Sequence, residues 1–169
     1  MNDNIVNRVA ASALITFDLE KLYQIGTRKS IDLSQWLHQG FLLKEKKFRA
    51  QLKAHDWSVY QDNFIALYCS TDAILPAWAS LLVTIHLQPY ARKVVLGTLK
   101  DLEVKLFTEE IQLLDLSQFK DQPVIIKGCS EKTVPQDAYV QLIAKLQPVV
   151  KSLFYGEACS SVPLYKKKK

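Results

Sequence analysis

From Phe41 onward the chain repeats its own punctuation at one spacing. Pro76 recurs as Pro135, Leu87-Gln88-Pro89 as Leu146-Gln147-Pro148, and Gly97 as Gly156, each 59 residues later. Phe48 and Phe107, Asp56 and Asp115, Ser58 and Ser117, and Asp62 and Asp121 keep the same offset. Cys69-Ser70 and Cys129-Ser130 lie 60 apart, with Gly128 as the extra residue, and a shorter loop before Pro135 restores the register. A constant offset over such a length predicts an internal duplication, two units written to one plan.

The plan reads as helix, turn, strand, helix, strand. Helices are predicted over 43–55 and 102–114; in the first, Leu43, Phe48, Leu52 and His55 share a face and lysines fill the other. An Asp-x-Ser turn follows, whose side-chain oxygens take local backbone donors. The apolar runs 64–68 and 124–126 read as buried strands. Pro76 and Pro135 open the next helices, since a first-turn N–H has no helical partner. Leu-Gln-Pro ends them, because residues before proline avoid the α region. The final strands, 93–96 and 152–155, are closed by glycine. Strand, helix, strand at this length is a right-handed crossover joining parallel neighbours.

The expected fold is therefore α/β. Internally duplicated αβαβ units form a mostly parallel sheet covered by helices on both faces. Residues 14–19 and 28–33, with Gly26-Thr27 between them, predict an antiparallel hairpin at its edge. A short helix is expected over residues 2–10, and another after an N-cap at Ser34, stopped at Gly40. The 169 residues suit a single domain. Its parts are residues 1–40 (hairpin and short helix), 41–97 and 100–156 (the two units), and 157–169 (a C-terminal segment with a basic tail).

The formal charge is +5, four of it in residues 166–169, which leaves +1 for the rest. Nucleic acid is not an expected partner on that balance. The lysine run is expected to be a frayed, dispensable end, with a membrane surface or a polyanion as its other conceivable contact. The start Met1-Asn2-Asp3-Asn4 lacks the basic and apolar regions of a signal peptide. Residues 73–87, the most apolar stretch, are too short for a transmembrane segment. Three cysteines with no Cys-x-x-Cys spacing argue against a disulfide framework and for a reducing, cytoplasmic setting.

Chemistry points to the cysteines. Cys69, Cys129 and Cys159 each follow an apolar run and each precede a serine. In an open α/β sheet, ligands bind beyond the carboxyl ends of the strands. Three thiolates there are candidate ligands for zinc or an iron–sulfur species, or acceptors of a sulfur atom in transit. Asp72 is a candidate fourth ligand or a helix-dipole partner. Ser70, Thr71, Ser130, Ser160 and Ser161 are candidate contacts for a small anion, without the glycine-rich loop that nucleotides favour. The competing reading packs the cysteines as small apolar core groups. If the two units run antiparallel, only Cys129 and Cys159 share an edge. His86, at the offset position of Lys145, is expected on a wetter helix face. Trp36, Trp57 and Trp78 read as core or interface anchors. No catalytic constellation is visible, so no catalytic residue is assigned.

Four segments carry a resemblance: Leu14-Ile15-Thr16-Phe17-Asp18-Leu19-Glu20, Leu87-Gln88-Pro89-Tyr90-Ala91, Ile125-Ile126-Lys127-Gly128-Cys129-Ser130 and Val162-Pro163-Leu164-Tyr165-Lys166. With them the whole chain resembles an uncharacterised bacterial family, domain of unknown function 2480 (DUF2480). The resemblance implies iron–sulfur assembly proteins as partners and brings no activity with it. Two functional readings stay open. One is an accessory or binding protein for metal, iron–sulfur or sulfur handling. The other is a structural or interaction module without cofactor, self-associating, with its cysteines in the core.

Overall fold

The helices after Pro76 and Pro135 begin where the prolines put them, but the strands find partners that local sequence does not announce. The structure, a computed structural model, describes residues 14–128, 131–157 and 160–168. In chain order it forms β1 (Ile15–Phe17), β2 (Arg28–Asp32), α1 (Glu45–Ala54), β3 (Phe64–Tyr68), α2 (Ala77–Leu87), β4 (Lys93–Leu96) and α3 (Leu99–Leu113). It continues with β5 (Pro123–Ile126), α4 (Gln136–Leu146), β6 (Ser152–Glu157) and β7 (Ser160–Lys166). The expected helix over residues 2–10 lies outside the described residues. After Asp32 the chain makes a 3-10 turn, Leu33–Trp36, in place of the expected helix capped by Ser34. Among the described residues no helix is long and apolar enough to cross a membrane.

The fold is mixed α/β with two mostly parallel sheets, ordered β1-β5-β6-β7 and β2-β3-β4. The expected hairpin does not form. β1 pairs in parallel with β5, and β2 pairs in parallel with β3. The reason is the burial of the middle strands. Phe64, Ile65, Ala66 and Leu67 of β3, and Val124, Ile125 and Ile126 of β5, are enclosed. Each buried, unpaired backbone group costs about 1–3 kcal/mol. A cross-strand side-chain pair in a surface hairpin returns only about 0.2–1 kcal/mol. Each middle strand therefore takes a partner on both edges, one from the N-terminal region and one from its own crossover.

The chain divides into two compact units. One runs up to Tyr23 and resumes at Phe107; the other is Gln24–Leu106. In the second unit, α1 and α2 cover one sheet face, where Phe48, Leu52, Ala79 and Val83 meet Ile31, Ile65 and Leu67. Leu102 and Leu106 of α3 cover the other face, on Phe64 and Ala66. In the first unit, Phe107 and Ile111 of α3 join Ala138, Leu142 and Leu146 of α4 over Phe17, Val124, Ile126 and Leu153. These bounds cut the chain at other places than the offset does, because each sheet draws its first strand from before Phe41.

Two pairs of offset positions share a local backbone conformation, but the sheets have four and three strands and the duplication is not established. Asp62 and Asp121 both hold left-handed conformations, with φ of 58° and 56°. Their N–H groups donate to Tyr90 O (2.9 Å) and Val149 O (3.0 Å). Pro76 and Pro135 precede their helices with φ of −64° and −62°. Helix ends are finished differently. Leu52 O of α1 accepts from the indole Nε1 of Trp57 at 2.8 Å, and the ring of His86 stacks on that indole. At the end of α3 the carbonyls of Ile111 and Gln112, and that of Leu114 just beyond it, accept from Lys145 Nζ at 2.6, 2.7 and 3.0 Å. His86, expected on a wet face, is half-buried because its ring completes this aromatic cap.

The C-terminus also departs from expectation. Residues 160–166 form β7, antiparallel to β6, with Pro163 on an edge strand where proline is tolerated. The lysine run begins inside the sheet. Lys166 pairs with Ser152, Lys167 N donates to Lys151 O at 2.9 Å, and Lys167 Nζ lies 3.2 Å from Asp121. Removing residues 168–169 should leave the melting temperature unchanged, whereas ending the chain at Tyr165 should lower it. Lys145→Met should lower unfolding free energy in urea by about 2 kcal/mol, the scale for charged hydrogen bonds to helix-end carbonyls.

Candidate functional site

The carboxyl ends of the strands carry the predicted site residues, and aspartates hold the loops there. Asp32 ends β2. Its Oδ1 accepts from Ser34 N at 2.9 Å, capping the 3-10 turn, and from Ser70 N at 3.0 Å. Its Oδ2 accepts from Ser70 Oγ at 2.5 Å, and the hydroxyls of Ser34 and Ser70 are 3.1 Å apart. The loop after β3 is thus pinned to the end of β2. Partial desolvation would raise the Asp32 pKa, but the donors from Ser70 and Ser34 outweigh it and bring it to about 2.

The first unit has its own clamp. Asp18 follows β1, accepts from Glu20 N at 3.0 Å and pairs with Lys127 Nζ at 3.1 Å. Desolvation raises its pKa, and the Glu20 amide and Lys127 more than offset this, so it lies below the usual range. Lys127 is pushed up by the hydrogen bond and charge of Asp18. Glu20 Oε1 accepts from Lys132 N at 2.9 Å. Acids at the end of the first strand therefore fasten the loop that follows the second strand in both units. Sequence reasoning missed them, although Asp32-Leu33-Ser34 has the same spelling as Asp56-Trp57-Ser58, which it read as a turn.

Cys69 is half-buried against the core of the second unit, with Sγ 3.4 Å from Thr71 Oγ1. Thr71 spends its hydroxyl hydrogen on Gly40 O at 2.7 Å, so the thiol is the donor to Thr71. Asp72, in the same loop, is exposed and makes no hydrogen bond or ion pair among the described residues. Ser160 and Ser161 are exposed on β7, opposite Glu157 and Gly156. Cys129, Ser130 and Cys159 lie outside the described residues. Among the described residues no three His, Cys, Asp or Glu side chains group as metal ligands.

β5 and β6 are parallel neighbours with Ile126 opposite Tyr155. A Cβ at Gly128 would stand 3.1 Å from the Tyr155 ring and 3.3 Å from Gly156 Cα, so a side chain there would have to push these neighbours back by a few tenths of an ångström. Tyr155 donates its hydroxyl to Gly128 O at 3.3 Å. Beside this edge an apolar groove of about 340 Å³ runs between α4 and the β6–β7 hairpin, lined by Tyr139, Val140, Ile143, Tyr155 and Leu164. A larger groove, about 480 Å³, lies at the amino ends of β5 and β6, away from the candidate chemistry.

The family described as "Protein of unknown function (DUF2480)" matches residues 3–167, nearly the whole chain. No curated protein and no solved structure matches it.

The clamp carries a pH signature. The folded Asp32 pKa, about 2, lies below the ordinary 3.8, so its stabilisation is present above about pH 4 and fades as pH falls toward 2. Asp32→Ala should cost about 1 kcal/mol at neutral pH, as a lost cap does. It should also flatten the fall in urea midpoint between pH 4 and 2.

Proposed function

We propose that this chain, which belongs to the DUF2480 family, is an accessory binding protein that handles metal or sulfur through Cys129 and Cys159. The observation that carries the reading is the pairing of β5 with β6. Cys129 comes three positions after Ile126, and Cys159 four after Tyr155, on strands whose ends are paired neighbours. Gly128 against Gly156 keeps the two chain paths in contact beyond the last pair.

Two thiolates supply half of a tetrahedral zinc or iron–sulfur ligand set. The other positions then fall to a partner's ligands, which suits a protein that passes metal or sulfur on, with iron–sulfur assembly proteins as the partner class. Ser130 follows Cys129 and Ser160 follows Cys159 in sequence, which gives the proposed site hydroxyls beside its thiols. Cys69 and Asp72 belong to the other unit, where the Cys69 thiol already has Thr71 as its acceptor, so they are assigned no ligand role. Zinc or ferrous iron, when bound, contributes a Lewis-acidic centre for thiolates. The chain's own part is to hold the two strand ends together and to fasten the Cys129 loop through Asp18, Lys127 and Glu20.

A second reading is favoured by one specific surface. α2 has no charged residue, and its outer positions Leu81 and Ile85 are 61% and 66% exposed. An interaction module that self-associates and keeps its cysteines in the core would use such a face.

Protein purified without oxygen and titrated with zinc or ferrous iron separates the two. Stoichiometric uptake, lost in both Cys129→Ser and Cys159→Ser and kept in Cys69→Ser, is the expected result. Absence of uptake by the unaltered chain, with a dimer in sedimentation, would instead support the interaction module.

A further inference from the structure

We propose that the loop tip at the carboxyl edge of the second unit docks on an anionic lipid surface. Two loops meet there. The turn over residues 38–42 is closed by His38 N to Leu42 O at 2.8 Å and Leu42 N to His38 O at 3.1 Å. It passes through left-handed Gln39 and Gly40, with φ of 52° and 78°. The loop after β3 is tied to that turn by Thr71 Oγ1 on Gly40 O at 2.7 Å, and to β2 by Ser70 on Asp32.

These ties hold apolar side chains out in water. Phe41 is 64% exposed, Leu42 56% and Ile74 96%. The left-handed conformation at Gln39 itself costs about 1–2 kcal/mol. A loop that stores strain to present a phenylalanine to solvent is built for something that covers it.

The charge around the tip selects the occupant. Lys44, Lys46 and Lys47 follow shortly after Leu42, beyond Leu43, and all three are exposed. Of the nearby acids, Glu45 is paired with Arg49 at 2.9 Å and Asp32 is held by Ser34 and Ser70. Asp32, which stays anionic in those bonds, and Asp72 oppose the three lysines at this edge, so the tip is net positive by the one lysine left over. Ile74 projects almost completely into solvent. A protein partner needs a face of about 800 Å². A bilayer interface instead takes single protruding Phe, Leu or Ile side chains, with lysines meeting anionic headgroups.

Co-sedimentation tests this, using mixed phosphatidylcholine–phosphatidylglycerol vesicles and vesicles of phosphatidylcholine alone. Both the full chain and a chain ending at Lys167 are used, so that the terminal lysines do not carry the result. Expected are binding to the mixed vesicles that weakens with salt, loss of that binding in Phe41→Asp with Ile74→Asp, and about fivefold weakening for each of Lys44, Lys46 and Lys47 replaced by Gln. All these side chains are exposed, and circular dichroism verifies folding. Leu81→Asp on α2 should bind like the unaltered chain. Equal loss in Leu81→Asp, or binding that vanishes on trimming the tail alone, overturns the proposal. No binding to either vesicle also overturns it and leaves the tip to an acidic protein partner.

Discussion

The structure depends on giving each fully buried middle strand a hydrogen-bonding partner on both sides. β3 and β5 are enclosed among apolar side chains, and water cannot satisfy their backbone groups there. β4 and β6, delivered by right-handed crossovers, satisfy one edge of each. The other edge must come from elsewhere, and the N-terminal strands are recruited to it. Phe64 N on Thr27 O at 2.8 Å and Lys127 N on Phe17 O at 2.9 Å extend the two ladders at opposite ends. The local attraction of a β1–β2 hairpin loses to this requirement.

Recruiting those strands creates the clamps. A strand that runs parallel to its neighbour ends at the same edge, so the aspartate closing β1 or β2 stands beside the loop leaving β5 or β3. Asp32 meets Ser70, and Asp18 meets Lys127. The carboxylates also cap the 3-10 turns that carry the chain away. One residue type thus serves turn, loop and edge together. Hydrogen-bond donors stabilise its ionised form by more than burial opposes it.

The clamped loops differ in what they hold up. In the second unit the thiol of Cys69 is turned into the fold and bonded to Thr71, while Ile74, Phe41 and Leu42 face outward. In the first unit Gly128, Tyr155 and Gly156 press the two chain paths together just before the remaining cysteines. The carboxyl edges of the two units thus differ, with an exposed apolar tip in one and a close glycine–tyrosine contact in the other.

Much of this was legible in the residues. Helix starts at Pro76 and Pro135, the buried runs of β3 and β5, and the α/β class follow from periodicity and from proline and aspartate stereochemistry, which act within a few residues. The matching left-handed Asp62 and Asp121 are the same kind of local event. Partner choice is not local. That β1 and β2 separate into different sheets, that residues 160–166 close onto β6 despite Pro163, and that Lys145 rather than an aromatic finishes α3 each depend on groups far apart in the chain. The placement of Asp32 against Ser70, 38 residues away, is of this kind too. Local sequence determines which conformations are cheap. Only the folded chain decides which buried backbone groups and carboxylates lie close enough to satisfy one another.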